Sequence, residues 1–285
     1  MRCGQATTFT IAQRSRFLEV DLLHPTESQL MAGHSLPLRN LRTIVLGATS
    51  GIGRATALSL AVAGADVIVH GRARRSEAES LAEEIRMIGG RSCVMMADLA
   101  DRQAGDRLVT EAWAQWDGLD AWLHIAGADT LTGEGAKLSF EEKLDRLWAV
   151  DVVATMRLCR QVGKRMNEQG GGSIVTMGWD QAETGMEGDS GELFAATKGA
   201  IMAFTRSLAL SLAPKVRVNA LAPGWIRTAW GETAPQVWQD RVLRETPLAR
   251  WGEPGDIANM ARFLVSPESS FVTGQILRIN GGAIR

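Results

Sequence analysis

The chain has 285 residues, 45% of them hydrophobic and 22% charged, with a formal net charge of -1 at pH 7, which suits one large globular domain with a sizeable core. So even a balance excludes a basic surface for nucleic acid or acidic lipid, and no apolar run approaches the roughly 18 residues of a membrane-spanning helix. Cys3, Cys93 and Cys159 are too few and too far apart for a disulfide framework or a paired-cysteine metal site; no metal is expected, and a reducing cytoplasm is the expected setting.

Residues 1–37 mix Thr, Gln, Arg, Ser and Glu with scattered Leu and lack the apolar core of a signal peptide. They are expected to form an N-terminal extension to a single domain over 38–285. Met31 is an alternative start, since Met31-Ala32-Gly33-His34 leads into the first strand. That strand is the β-branched, apolar run 41–45. The turn Gly47-Ala48-Thr49-Ser50-Gly51-Ile52-Gly53 follows, and the Ala- and Leu-rich stretch 55–63 continues as helix. Glycines between strand and helix allow a tight bend, and a helix N-terminus offers free N–H groups to a diphosphate.

Further signals alternate in the same order. Strand 66–70 precedes helix 76–87, with Leu81, Ile85 and Ile88 at helical spacing. After strand 92–97, Asp101 caps a helix that carries Leu108, Ala112 and Trp116 on one face. Strand 121–125 leads to a long helical stretch, 140–166, ended by Gly170-Gly171-Gly172. Strand 173–177, helix 192–212 ending before Pro214, and strands 216–221 and 275–279 complete the pattern. Met156, Met166, Met202 and Met260 are expected in the core. Alternation of this kind predicts an α/β fold: a doubly wound, Rossmann-type parallel sheet covered on both faces.

The chain resembles the short-chain dehydrogenase/reductase family over residues 38–285, and within it the 3-oxoacyl-(acyl carrier protein) reductase-like members. The resemblance is carried by the glycine turn, Asp98-Leu99, Ala126-Gly127, Lys198, and Asn219-Ala220-Leu221-Ala222-Pro223-Gly224-Trp225-Ile226-Arg227-Thr228. Pro247 to Pro254, Thr273-Gly274-Gln275 and Asn280-Gly281-Gly282 add to it. It implies a seven-stranded sheet that binds NAD or NADP at the carboxyl ends of its strands. By the same resemblance, the cofactor-binding residues are Gly47, Thr49, Ser50, Gly51, Ile52, Gly53, Arg72, Asp98, Leu99, Ala126, Gly127, Lys198, Pro223, Gly224, Ile226 and Thr228. NAD users of the family place an acid just after the second strand; here Gly71 stands there, followed by Arg72, Arg74 and Arg75. An Arg can pair with the extra phosphate of NADP, so NADP(H) is expected rather than NAD(H). The alternative is a solvated basic helix start.

The family's chemical residues are where the pattern breaks. The resemblance implies a proton-donating Tyr, a Lys four residues later, a Ser that hydrogen-bonds the carbonyl and an Asn that anchors a water. Lys198 is retained. The Tyr position is Phe194, the Ser position is Trp179, the Asn position is Asp151, and the chain contains no Tyr at all. The loop from Trp179 to Phe194 is longer than the family's. Phe194 and Trp179 together are expected to make an apolar ligand pocket.

Three outcomes stay open on sequence. The protein is a non-catalytic NADP(H)-sensing or partner-binding subunit, or an oxidoreductase whose acid has moved to Asp151, Asp180, Glu183, Glu192 or His124, or a fold retained after loss of function. Trp225, Trp230 and Trp238, in the family's lid region, either line an apolar ligand site or staple the lid to the body. The resemblance also implies a homodimer or homotetramer built on the helices over 140–166 and 192–212, where Ala195, Ala196, Gly199, Ala200 and Ala203 allow close packing.

Overall fold

The computed structural model describes residues 36–283. Expectations for residues 1–35, the Met31 start among them, lie outside it.

Seven parallel strands run in the order β3-β2-β1-β4-β5-β6-β7: β1 Arg42–Leu46, β2 Asp66–Gly71, β3 Ser92–Met96, β4 Ala121–His124, β5 Gly172–Met177, β6 Val216–Pro223 and β7 Ile276–Ile279. Central strands carry continuous apolar runs because both faces are covered. Ile44, Val45 and Leu46 of β1 are all fully buried, and the two faces feed two separate hydrophobic clusters. The start of β1 is tied to the start of β4 by Arg42, whose Nε and Nη2 donate to the two Asp120 carboxylate oxygens at 2.9 and 2.7 Å. The chain leaves β1 toward β2 on one side and returns to β4 on the other. That reversal opens a crevice at the carboxyl ends of β1 and β4.

Helices fill the crossovers. They are α1 Gly51–Val62, α2 Arg75–Met87, α3 Arg102–Gln115, a single turn α4 Gly133–Ala136, α5 Phe140–Leu147, α6 Thr155–Gln169 and α7 Asp189–Leu212. Asp101 caps α3 as expected, accepting from the Gln103 and Ala104 backbone N–H groups. The helical stretch expected over 140–166 forms without a break, but it is not α-helical throughout. A widened π turn, Trp148–Ala154, separates α5 from α6 and turns Asp151 into the interior.

The tryptophan-rich stretch folds into two short helices, α8 Ala229–Thr233 and α9 Gln236–Glu245. Residues 254–265, unassigned from sequence, form α10 Pro254–Val265. Its signals are ordinary ones: Pro254 in the first turn, a reciprocal cap between Glu253 and Asp256, and Ile257, Ala258, Ala261, Leu264 and Val265 on a buried face. Met166 and Met202 are buried, and Met260 packs on the core. Among the described residues no helix is long and apolar enough to cross a membrane.

Candidate functional site

The glycine turn lies between β1 and α1. Gly47 has φ +78°, and a side-chain carbon there would lie 2.7 Å from the Ala126 Cα. At Gly53 it would lie 2.0 Å from the Gly47 carbonyl oxygen. Only glycine lets α1 start this close to the strand it leaves. The N-terminus of α1 has no side-chain cap and no acid in its first turn, so its amide groups remain available to an anion. Ser50, the capping residue, gives its Oγ instead to Arg74, whose Nη2 donates to it at 2.7 Å. Arg74 therefore reaches the glycine turn, while Arg72 is exposed at the end of β2.

Other predicted cofactor residues gather around this cradle. Thr228, two residues beyond the Ile226 bridge to Gly252, has its methyl 3.4 Å from where a Gly51 side-chain carbon would stand. Asp98 and Leu99 follow β3, Ala126 and Gly127 follow β4, and Pro223 and Gly224 end β6. Ile52, Leu99 and Ile226 pack into the clusters below, anchoring the loops. Gly71 is buried, and a side-chain carbon there would lie 2.6 Å from the Thr49 methyl. A larger residue can enter that position only if the Thr49 side chain shifts.

His70 is a residue that sequence reasoning missed. Its Nδ1 accepts from the Gly47 N–H at 3.2 Å and its Nε2 faces the Ala97 carbonyl at 3.1 Å. The ring thus joins the glycine turn to the Asp98 loop. Burial lowers its pKa to about 4, so it is neutral, Nε2 donating and Nδ1 accepting. A histidine inside a strand carries no distinctive signal.

At the chemical positions, Lys198 is buried on α7 and its Nζ donates to Asp151 Oδ2 at 2.6 Å. Asp151 Oδ1 accepts from the Ala128 N–H at 2.8 Å. Both carboxylate oxygens are therefore engaged, one by a buried cation. Beside them the Trp179 and Phe194 rings meet edge to face, 6.2 Å between centroids. These rings present hydrocarbon where the family pattern has two hydroxyls.

The proposed alternative acids divide sharply. Glu183 is held between Arg206, at 2.8 Å, and Arg278, and these cations lower its pKa. Glu192 is exposed at the start of α7. His124 is fully enclosed at the end of β4, with Nδ1 4.0 Å from Cys159 Sγ and Nε2 unpartnered; burial first, then His70 and Lys198, lower its pKa to about 3. Asp180 is different. It is buried, and burial raises its pKa to about 6 against the pull of the Asn280 side chain.

In the lid region Trp225, Trp230, Trp238 and Trp251 pack on one another, with ring centroids 5.5 to 6.3 Å apart. Arg241 lies over Trp238 at 4.9 Å and also bonds Glu187, in the long loop before α7, at 2.6 Å. The rings fill one another's space, so the cluster fastens α8 and α9 to the body rather than lining a vacant aromatic pocket.

A parallel sheet in this strand order, with a glycine cradle at its reversal point, defines a dinucleotide-binding oxidoreductase fold. The model of the enoyl-(acyl carrier protein) reductase family matches residues 47–283. The chain is 36% identical to a cyclohexanol dehydrogenase of Rhodococcus sp. (strain TK6) over 87% of its own length and 97% of the relative's. It is 31% identical to a 3-oxoacyl-(acyl-carrier-protein) reductase of Staphylococcus aureus (strain Mu50), covering 84% and 96%.

Among solved structures, a 7α-hydroxysteroid dehydrogenase complexed with NADH and 7-oxo glycochenodeoxycholic acid superposes with a TM-score of 0.79 at 30% identity, covering 88% of this chain and 96% of that one. A short-chain dehydrogenase of Burkholderia cenocepacia J2315 in complex with NADP gives 0.77 at 29% identity, covering 87% and 99%. The chain belongs to the short-chain dehydrogenase/reductase family, whose members bind nicotinamide cofactors.

Proposed function

We propose that the protein binds NADP(H) and that ordinary hydride transfer to a carbonyl, or from a hydroxyl, is lost or rerouted in it. The observation that carries this reading is the Trp179–Phe194 ring pair beside a Lys198 already engaged by Asp151. A general acid is typically worth 10²–10⁴-fold, and one oxyanion donor about 3–4 kcal/mol. Without either, carbonyl reduction falls close to undetectable, even allowing for non-additivity.

The cradle fits the cofactor because Gly47 and Gly53 let the turn close tightly before α1, whose first amides have no side-chain cap. Gly47, Thr49, Ser50, Gly51, Ile52 and Gly53 would hold the diphosphate, with Asp98, Leu99, Ala126, Gly127, Pro223, Gly224, Ile226 and Thr228 around the remainder. A bound reduced nicotinamide would supply a hydride; Phe194 and Trp179 have no hydroxyl acid whose proton could accompany it. NADP(H) is favoured over NAD(H) because Gly71 supplies no ribose-binding acid while Arg72 and Arg74 flank the same turn. The reading extends to a homo-oligomer, supported by Trp148, Val153 and Leu210 exposed along the π turn and α7.

A relocated acid is the second reading, and the raised pKa of Asp180 favours that residue over Asp151, whose oxygens are both occupied. A purely NADP(H)-sensing or partner-binding role is the non-enzymatic form of the first. Fluorescence titration with NADPH, followed by a carbonyl panel on wild type, Phe194→Tyr and Asp180→Asn, separates them. Binding without turnover in wild type supports the proposal. Turnover that disappears in Asp180→Asn supports the relocated acid, and absence of nucleotide binding defeats both.

A further inference from the structure

One residue beyond Trp179 lies a cavity of about 300 Å³ lined by Asp180, Gln181, Arg244, Glu245 and Arg278. It is at the small end of ligand cavities. Asp180 and Gln181 are each only 5% exposed, and Asp180 Oδ1 and Gln181 Oε1 have no hydrogen-bond partner. The other Asp180 oxygen is satisfied by the Asn280 side chain at 3.1 Å. Buried acceptors are rarely left unpaired, and two on consecutive residues that line one cavity point to a donor from outside the chain.

The cations around the cavity are unequal. Arg278 is bound to Glu183, and Glu245 to Arg241. Arg244 makes no ion pair among the described residues and stands exposed in the same wall. The cavity thus offers, among the described residues, unpaired acceptors at one place and a guanidinium without an ion pair at another. An ammonium, with three donors and a positive charge, answers the first, and a carboxylate answers the second.

We propose that this cavity binds a small dipolar amino acid, its ammonium on Asp180 and Gln181 and its carboxylate on Arg244. The site is distinct from the nucleotide cradle, and neither proposal requires the other. Burial keeps the Asp180 carboxyl hard to ionise against the pull of Asn280 and Arg278; an arriving ammonium adds to that pull and stabilises the ionised form.

The test is calorimetric titration of the full chain at neutral pH with glycine, L-leucine, L-glutamate and L-lysine. Two truncated analogues of leucine accompany them: 3-methylbutylamine, without the carboxylate, and 4-methylpentanoate, without the ammonium. At least one amino acid is expected to bind with Kd below about 1 mM. If leucine is that binder, it should exceed each analogue by about tenfold or more; for another, its own amine and acid are used. Asp180→Asn and Arg244→Ala should each weaken binding by at least about tenfold, and Arg244→Ala should leave NADPH binding, titrated in parallel, unchanged. No binding by any of the four, equal binding of a singly charged analogue, or full binding in both variants overturns the proposal. Loss of NADPH binding in wild type counts against the nucleotide reading alone.

Discussion

The glycine turn between β1 and α1 and the residues at the ends of β5 and α7 sit in the same fold but are built on opposite principles. Around the turn, the backbone itself is brought close: Gly47, Gly53 and Gly71 each stand where a side-chain carbon would collide with a neighbouring part of the chain. Ser50 leaves the α1 amides uncapped. At the chemical positions space and charge are used up, by the Trp179–Phe194 ring pair and by Asp151 closing on Lys198. Preservation of a fold therefore says little about preservation of a reaction, because one depends on backbone approach and the other on a few polar atoms.

The largest effect is expected where charge is consumed. Asp151→Ala leaves Lys198 buried beside no anion, which should cost about 3–5 kcal/mol by denaturant unfolding. Asp151→Asn, which keeps an acceptor, should cost less. At the glycine turn, Gly53→Ala forces backbone apart at the start of α1, and NADPH binding should weaken by roughly a hundredfold, about 2.7 kcal/mol. Should Gly53→Ala bind NADPH as wild type does, the cradle is not the nucleotide site.

Stability against pH sharpens the contrast. His70 and His124 have folded pKa values lowered from 6.5 to about 4 and about 3. Between pH 6.5 and 4 the unfolded chain binds more protons, so each histidine stabilises fully above that window and less as pH falls. Asp180, raised to about 6, acts in the opposite sense because the folded chain holds its proton between about pH 4 and 6. Together they should remove about 2 kcal/mol between pH 7 and pH 5. His70→Asn should flatten the curve, and an unchanged slope would deny the histidine a neutral buried state. The smallest change is expected for Arg74→Ala, which should weaken NADPH by about 1 kcal/mol at low salt, less at high salt, and leave NADH untouched.

Much of this was legible in the sequence. Strand-and-helix alternation located every strand, because parallel strands buried on both faces read as unbroken apolar runs. That the chain contains no tyrosine is read from its composition alone. Other features depend on contacts between distant segments. The π turn that brings Asp151 inward looks, by residue pattern, like uninterrupted helix. His70 becomes significant only when Gly47 and Ala97 are seen on either side of its ring. Arg74 differs from Arg72 only by which of them reaches Ser50. The tryptophans left two uses open until their mutual packing was visible.

The most direct test of the central claim follows the nicotinamide absorbance of the preformed protein–NADPH complex after mixing with saturating aldehydes and ketones. The account predicts saturable NADPH binding and an absorbance that does not decay beyond the protein-free control. Decay at the rate of a competent reductase in the wild-type chain would contradict it.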